Sequence, residues 1–411
     1  MKASQRLGSA AAMLLLALPA LADDEIRFEG FPDYDSQLEA VLPAFQEAHG
    51  LQVDILMNEW EEHHNRLATT LGTGRGAGDL VLVDVGQIGA FVGEGGLVDL
   101  SERFEGMEDD FADYAVTQGQ SPDGGQYGIP VDIGPGVMYY RRDLMDEAEQ
   151  DLDDIQDSWD AYLEYGRWLR EEHDTLLVGN ASSVAQAIIF TEVDEGEGFY
   201  FDEDGNSLIT GDRFVRAFEM ARTIREEGLD GSINDWTEDW YEGFRNGEFA
   251  TELSGAWLLG HLQNWIAPET SGEWGASRLP AGRYGSWGGS FLAIPEQSDN
   301  QEEAWELLEY LISPDIQIEG FENIAAFPAN TRTYDHPMFD DEIEFLRGQQ
   351  ARHLFAEIAE NIEPVTPHQG DHIAYDLVVS DALSRVLDDD VAIMDALEEA
   401  ESQLKRRLRM L

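Results

Sequence analysis

Leu279-Pro-Ala-Gly-Arg-Tyr-Gly-Ser-Trp-Gly-Gly-Ser-Phe-Leu-Ala-Ile-Pro295 is the stretch whose reading decides the fold of this chain. It opens as a proline- and glycine-rich loop and closes with Ser290 to Ile294, an apolar run that Pro295 stops and that predicts a buried strand. Trp287 stands directly before Gly288 and Gly289. Two glycines permit backbone angles and close approaches that a side chain forbids. An indole beside bare backbone makes a flat apolar platform with amide donors at its edge, which suits the face of a sugar ring. A tight turn around a core tryptophan fits the same residues.

Two neighbouring segments weigh on that choice: Gly247-Glu-Phe-Ala-Thr-Glu-Leu-Ser-Gly-Ala-Trp257 upstream, and Asn300 to Pro314 downstream. In that order the three pieces resemble the extracellular solute-binding proteins of ABC sugar importers, the group that includes maltose-binding protein. That family carries Gly-Pro-Trp where this chain has Gly255-Ala256-Trp257, then a Pro-Ala-Gly loop, Gly-Gly before a strand, and an amphipathic helix ending near Ser313-Pro314. Tyr127-Gly-Ile-Pro-Val-Asp132 followed by Val137-Met-Tyr-Tyr140 looks like the family's crossing into its second lobe, with Arg141-Arg142 in place of the customary Asn-Lys. The resemblance implies an α/β, two-lobe periplasmic binding protein of type II, each lobe a sheet flanked by helices. It implies three crossings, near 130–136, 286–292 and 328–340. The N-terminal lobe is then 23–131 plus 290–333, and the C-terminal lobe 132–289 plus 334–411.

The start of the chain is consistent with export. Lys2 and Arg6 precede the short apolar run Ala10 to Leu18, and Ala20-Leu-Ala22 is a small-x-small cleavage pattern before Asp23, so 1–22 reads as a signal peptide. That run is too short to span a bilayer. The chain has no cysteine, which excludes a lipid-anchoring cysteine, disulfides and thiolate metal sites. A free periplasmic protein, monomeric and not a lipoprotein, is expected.

The 411 residues suggest about two domains. Against 84 Asp and Glu stand 25 Lys and Arg, a net charge of −59; loss of Lys2 and Arg6 with the signal takes it to −61. Lys405 is the single lysine beyond the signal. Such charge self-repels in dilute buffer, while in molar salt the Debye length falls to about 3 Å. The composition reads as a protein working in strong brine. A disordered acidic chain or a calcium sponge is disfavoured by 43% hydrophobic residues and by acids scattered along the chain. Nucleic acid is excluded as a partner on electrostatic grounds, as is an anionic membrane.

Periodicity then orders the elements. Ile26 to Phe31, Val53 to Met57 and Leu80 to Val85 read as strands; between them lie a helix with the stripe Leu38, Val41, Leu42 and Phe45, and a helix from Trp60 to Leu71. This βαβαβ order implies parallel strands, with ligands beyond their carboxyl ends. The residues there are Glu29 to Tyr34, Asn58 to Trp60 and Asp84 to Gln87. Further helices are expected from Ser158 to Glu171, after Asp212, along Ala304 to Leu311, and from Asp340 to Leu411. Pro364 to His372 interrupts the last of these, and the resemblance turns that loop toward the cleft. Trp236 and Trp240 flank a helix start and read as a core pair. There is no internal repeat.

Chemistry is constrained mostly by what is missing. Gly72 to Gly78 lacks the Lys-Ser/Thr of a phosphate loop and precedes its strand. Tyr200 to Asn206 lacks the spacing of an EF-hand and reads as a turn. His63 and His64 are adjacent on a helix and point to different sides; Pro367 and Gly370 spoil any helical alignment of His368 with His372. No nucleophile elbow is present. No catalytic residue, metal or cofactor is expected. The expected ligand contacts are Trp257 and Trp287 as stacking faces, Gly288 and Gly289 as amide donors, and Asp84, Asp132, Gln87 and Asn180 as hydroxyl partners, with Trp60, Glu29 and Tyr34 at the rim. The partners implied are a small sugar and the membrane permease of an ABC importer. Two alternatives stay open: a polyamine or other small-solute receptor, and a secreted carbohydrate-active enzyme.

Overall fold

The computed structural model describes residues 25–32, 34–148, 151–323 and 326–410; the signal segment 1–22 lies outside the described residues. Strands β1 (Glu25–Gly30), β2 (Gln52–Met57) and β3 (Leu80–Asp84) run parallel in the order β2-β1-β3, as the alternating pattern predicts. The uninterrupted apolar run of β3 follows from burial on both faces. Leu80 and Leu82 join the core built on the stripe of the helix Tyr34–His49, while Val81 and Val83 pack with Leu67, Leu71, Ile88 and Phe91 from the helices Trp60–Thr73 and Val85–Glu94. Gly74 ends the helix Trp60–Thr73 at φ 66, so the glycine-rich run is a helix-to-strand turn.

β4 (Ile129–Arg141) is the long strand, 13 residues. β5 (Leu176–Val178) and β6 (Phe249–Gly255) run parallel, and β7 (Trp274–Arg278) pairs with β4. β8 (Ser286–Ala293) returns antiparallel to β3, and β9 is the pair Phe327–Pro328. The strand order β2-β1-β3-β8-β4-β6-β5 resolves into two ladders that share β4. Residues 129–135 of β4 bond to β8 and β9, and residues 136–141 bond to β6 and β7. Side chains of its second half alternate. Val137 and Tyr139 enter the core that also holds Phe249 and Trp274; Met138 and Tyr140 enter the core under the helices Trp159–Trp168, Ala181–Thr191 and Asp212–Glu226. Both faces of each ladder are therefore covered by helices, which is a two-lobe α/β fold.

The structure revises the reading of residues 286–289. Gly288 and Gly289 lie inside β8 at φ 92 and 125, not in a loop before it. Ser286 pairs with Pro135 and Gly289 with Ile133, so Trp287 and Gly288 together oppose the single residue Gly134. This is a β-bulge, and it sits at the end of the β4–β8 pairing, where β4 leaves the first ladder for the second. Gly134 is required there because a Cβ would stand 2.0 Å from the Trp287 carbonyl oxygen. The expected helix from Ser158 ends earlier, at Trp168, where a π-helical turn Leu169–His173 takes over. Tyr200 to Asn206 is a turn as read, with Asp202 Oδ1 accepting from the amides of Asp204 and Asn206.

Gly134→Ala is expected to cost roughly 1–3 kcal/mol or to prevent folding, because the contact is with backbone that cannot step aside. Denaturant unfolding of the variant beside wild type measures it.

Candidate functional site

At the carboxyl end of β3, Asp84 caps the helix Val85–Glu94, its Oδ1 accepting from the Gly86 amide at 2.8 Å. Its own amide donates to His64 Nε2 at 3.1 Å. That bond makes Nε2 an acceptor, so the proton sits on Nδ1, which donates to the Trp60 carbonyl at 2.7 Å. Burial holds His64 down at about 3, and it stays neutral. His63 donates from Nε2 to the Leu82 carbonyl at 2.7 Å. The expectation that the two histidines point to different sides is therefore wrong. Both turn onto the same edge of β3, with ring centroids 4.9 Å apart, because the helix buries a face wide enough to take both. They position Asp84 and Trp60, whose ring lies 4.5 Å from His64 and is 39% exposed.

Ser290 of β8 is opposite Asp84 on one side and opposite Asp132 of β4 on the other. The three side chains thus form one row across three strands. Adjacent strands are about 4.8 Å apart, which puts the two acids roughly 10 Å from each other. Burial pushes Asp132 up to about 7, and the charge of Asp84 adds to the rise. Burial also pushes Asp84 up to about 6, against the Gly86 amide and the Trp60 indole N–H. Two buried phenols close the floor. Tyr34 and Tyr114 both feel the Asp132 charge, and neither hydroxyl has a hydrogen-bond partner. Buried hydroxyls without partners are the groups a polar ligand would satisfy.

The opposite wall is aromatic. Trp257, just past β6, donates from Nε1 to the Trp287 carbonyl at 2.8 Å, and Trp287 rests edge-on against Phe190. A side chain at Gly288 would meet Trp257 Nε1 at 2.8 Å, so the visible role of this glycine is to admit that indole. Trp236 stacks on Trp257 at 5.8 Å and 17°. The expected Trp236–Trp240 core pair is thereby half wrong: Trp240 is buried, but Trp236 is 48% exposed in the left-handed region at φ 61. It precedes its helix, Glu238–Asn246, and so falls outside that helix's buried stripe. Asp235 beside it is exposed at the surface yet crowded by surrounding protein, and that desolvation pushes it up to about 6. Burial, then the Asp235 charge, holds Glu252 well above its ordinary range, with the Trp240 indole N–H on its Oε2 at 3.2 Å.

A third wall is the loop expected to face the cleft. His368 and Gln369 lie directly on the helix Val85–Glu94: a Cβ on Gly89 would stand 2.9 Å from the His368 carbonyl, and one on Gly93 2.6 Å from Gln369 Cβ. His368 stacks on Phe201 at 3.8 Å. Tyr375 follows, held up to about 12 by burial and by the charges of Asp235, Asp376 and Asp84. A cavity of about 300 Å³ lies beyond Trp287, lined by Phe190, Thr191, Tyr284, Ser286, Asn361 and Val365.

Three expected contacts are placed differently. Glu29 is not on a rim: it is completely buried beneath Gly78 and ion-paired with Arg66. Tyr34 is on the floor, not the rim, being 3% exposed. Asn180 caps the helix Ala181–Thr191 through the Ser182 amide and donates to Asn234 Oδ1 at 3.1 Å, so its polar atoms hold the loop that carries Trp236. Gln87 lies half-buried in the first turn after Asp84. Sequence reasoning missed Tyr114, Ser290, Asp235, Trp236 and Tyr375. The polar run from Asp230 to Asp235 was the available signal that Trp236 stands outside a helix.

A cleft between two lobes, with indole faces on one side and hydrogen-bonding acids and phenols on the other, defines a small-solute binding protein. Residues 40–346 match the family described as bacterial extracellular solute-binding protein, and the chain belongs to it. The chain is 25% identical over 325 residues to the arabinooligosaccharide-binding protein of Halalkalibacterium halodurans, covering 75% of this chain and 72% of that one. A solved extracellular solute-binding protein of family 1 superposes with a TM-score of 0.82 at 22% identity, over 93% of this chain and 99% of that one. The ABC transporter associated binding protein of B. animalis subsp. lactis, solved with β-1,6-galactobiose, gives 0.76 at 21% identity, over 93% and 97%. At these identities the likeness to the solved structures shows the fold. Among the described residues no helix is long and apolar enough to cross a membrane.

Because Asp132 titrates higher in the folded protein than in an unfolded chain, its penalty is present above about pH 7 and is relieved as pH falls through that value. Asp132→Asn is therefore expected to be more stable than wild type at about pH 8, by up to roughly 4 kcal/mol, with the difference shrinking as pH falls below about 7 and gone only near about pH 4. Thermal melts of both proteins across that range read it.

Proposed function

We propose that this protein is the substrate-capturing component of an ABC importer for a sugar, binding it between the lobes and delivering it to the membrane permease without altering it. One observation carries the reading: exposed Trp236 stacks on half-buried Trp257, and Tyr375, which feels both Asp235 beside that stack and Asp84, links it to the row of Asp84 and Asp132 with the buried hydroxyls of Tyr34 and Tyr114. Flat apolar faces suit the C–H side of a sugar ring, and acids and phenols suit its hydroxyls. The family membership and the arabinooligosaccharide- and galactobiose-binding relatives support it. On this reading the lobes are 23–131 plus 290–333 and 132–289 plus 334–411, hinged at the shared strand and its two companion crossings. The protein works as a monomer in the periplasm, freed of residues 1–22 and without a lipid anchor. Closure follows because a ligand touching both lobes stabilises the closed state selectively.

A second reading, a polyamine receptor, is favoured by the acids around Tyr375, where Asp84, Asp235 and Asp376 all act on one phenol. Salt separates the two. With a net charge of −59 the melting temperature is expected to rise steeply from low to molar salt. The dissociation constant of a neutral sugar stays nearly flat above the folding threshold, whereas that of a cation climbs steadily as its attraction is screened. A melting temperature indifferent to salt would refute the brine reading.

Calorimetry in molar salt with arabino-, galacto- and maltooligosaccharides, and with spermidine, tests the function directly. Trp257→Ala is expected to lose about 1–3 kcal/mol of sugar affinity with its melting temperature little changed. Turnover of any of these sugars, or heat with spermidine alone, overturns the proposal.

A further inference from the structure

Three of the ten tryptophans, Trp60, Trp236 and Trp265, are largely exposed among the described residues. Trp60 and Trp236 belong to the cleft already described. Trp265 has no part in it, yet it is 47% exposed and connected to Trp257 by a continuous aromatic row. His261 stands 5.9 Å from Trp257 and 5.4 Å from Trp236, and Trp265 follows at 5.8 Å from His261. The row is built by local structure. The helix Leu258–His261 passes directly into a π-helical turn, Leu262–Ile266, a rare geometry that is frequent at functional sites. Its wider turn brings the Trp265 indole N–H onto His261 Nδ1 at 3.1 Å.

Trp265 is also braced. Its ring is perpendicular to His261 at 89°, and Tyr241 holds it from another side at 5.1 Å and 69°. Tyr241 in turn carries Arg245, which donates to the Ile266 carbonyl at 2.6 Å and so pins the end of the same turn. An indole left in water forgoes the gain of burial, and here a half-exposed ring is in addition held in one orientation. Fixing its orientation with two perpendicular neighbours and tying its one polar atom internally leaves a ring whose remaining use is its face.

We propose that Trp265, oriented by His261 and Tyr241, is an outer sugar platform that takes units of an oligosaccharide protruding from the cleft, so that the protein selects by chain length. The inference rests on the sugar-binding reading above and sharpens it from sugars in general to oligosaccharides. Continuity with the Trp236–Trp257 stack argues for carbohydrate over any other occupant: ring centroids run from Trp257 to His261 and on to Trp265 in steps of 5.9 and 5.8 Å.

The test is calorimetry in molar salt with arabinooligosaccharides and maltooligosaccharides of one to five units, on wild type, Trp265→Ala and Trp265→Tyr. Wild type is expected to bind the longer members more tightly than the short ones. Trp265→Ala should lose about tenfold on the longest member and less than about twofold on the shortest bound one, with Trp265→Tyr recovering most of the loss. Equal losses at every length, or no loss at any length, overturn the platform while leaving the sugar reading intact. Failure of wild type to bind any member of either series removes the sugar reading and the platform with it. A wild-type dimer in sedimentation that Trp265→Ala dissolves, with sugar affinities unchanged, assigns the ledge to a second copy of the chain and also overturns the proposal.

Discussion

The pairing of β4 with β8 is the constraint on which the rest depends. These two strands run side by side up to the point where β4, which both ladders share, passes from the first to the second, and the pairing ends in a bulge at Trp287 and Gly288 opposite Gly134. The extra residue turns the β8 backbone so that the Trp287 carbonyl faces Trp257 Nε1, which anchors the aromatic wall to the crossing itself. On its other side the same pairing sets Ser290 between Asp84 and Asp132. One local irregularity in a sheet therefore determines both the stacking side and the hydrogen-bonding side of the cleft. It also explains why glycines cluster here. Gly134 and Gly288 each leave room for an atom that another part of the site uses, the first for a carbonyl and the second for an indole.

Acids play opposite roles inside and outside. Surface carboxylates greatly outnumber cations and are solvated or matched with arginine, as in Arg167 with Glu164 and Glu227. Such exposed pairs contribute little each and weaken as salt rises, so they do not hold the fold in brine. The cleft acids are few, and burial raises them toward neutrality, with no cation among the causes acting on Asp84 or Asp132. A carboxyl near its titration point can accept from a hydroxyl when ionised and donate to one when protonated. That versatility suits neutral polyols. The surplus of negative charge around the floor disfavours anionic solutes by the same field.

How much of this was legible in sequence varies with the source of each signal. The β2-β1-β3 unit was plain because its apolar residues keep period 2 in β1 and β2, an unbroken run in β3 and period 3.6 in the helices between them. β4 was legible only in its second half. Its first half contains Pro130, Gly134 and Pro135, residues that break an isolated strand, and only the pairing with β8 and β9 makes them tolerable. Asp84 stood out as a carboxylate ending an apolar run and Asp132 through its likeness to the family's Pro-x-Asp crossing; Ser290 between them did not, since register across non-adjacent segments is not written locally. Trp236 was misread because its spacing from Trp240 imitates a helical core pair. Only its backbone, at φ 61 ahead of the helix, turns it outward. Glu29 was misread in the other direction: a strand-end acid looks like a rim residue until Arg66, from the next helix, is seen to bury with it.

The helix Val85–Glu94 links these features to motion. Its first turn starts from Asp84, and its glycine face carries His368 and Gln369 at distances that no side chain would allow. The loop resting there is rigid at its other end, because His368 stacks on Phe201 and its amide donates to Asp371 Oδ2 at 2.7 Å. Lobes in contact through backbone and small residues gain little from each other when the cleft is empty, since little apolar area is removed from water. On the proposed mechanism such a contact leaves little difference between open and closed forms, so that a ligand with modest differential affinity suffices to shift the balance. Larger residues at Gly89 or Gly93 would hold the lobes apart at the point where Asp84 and Tyr375 must approach. The glycine face thus lets the 368–369 loop sit against the helix that Asp84 caps, and on the proposed closing motion it is the surface that sets how near the two sides come.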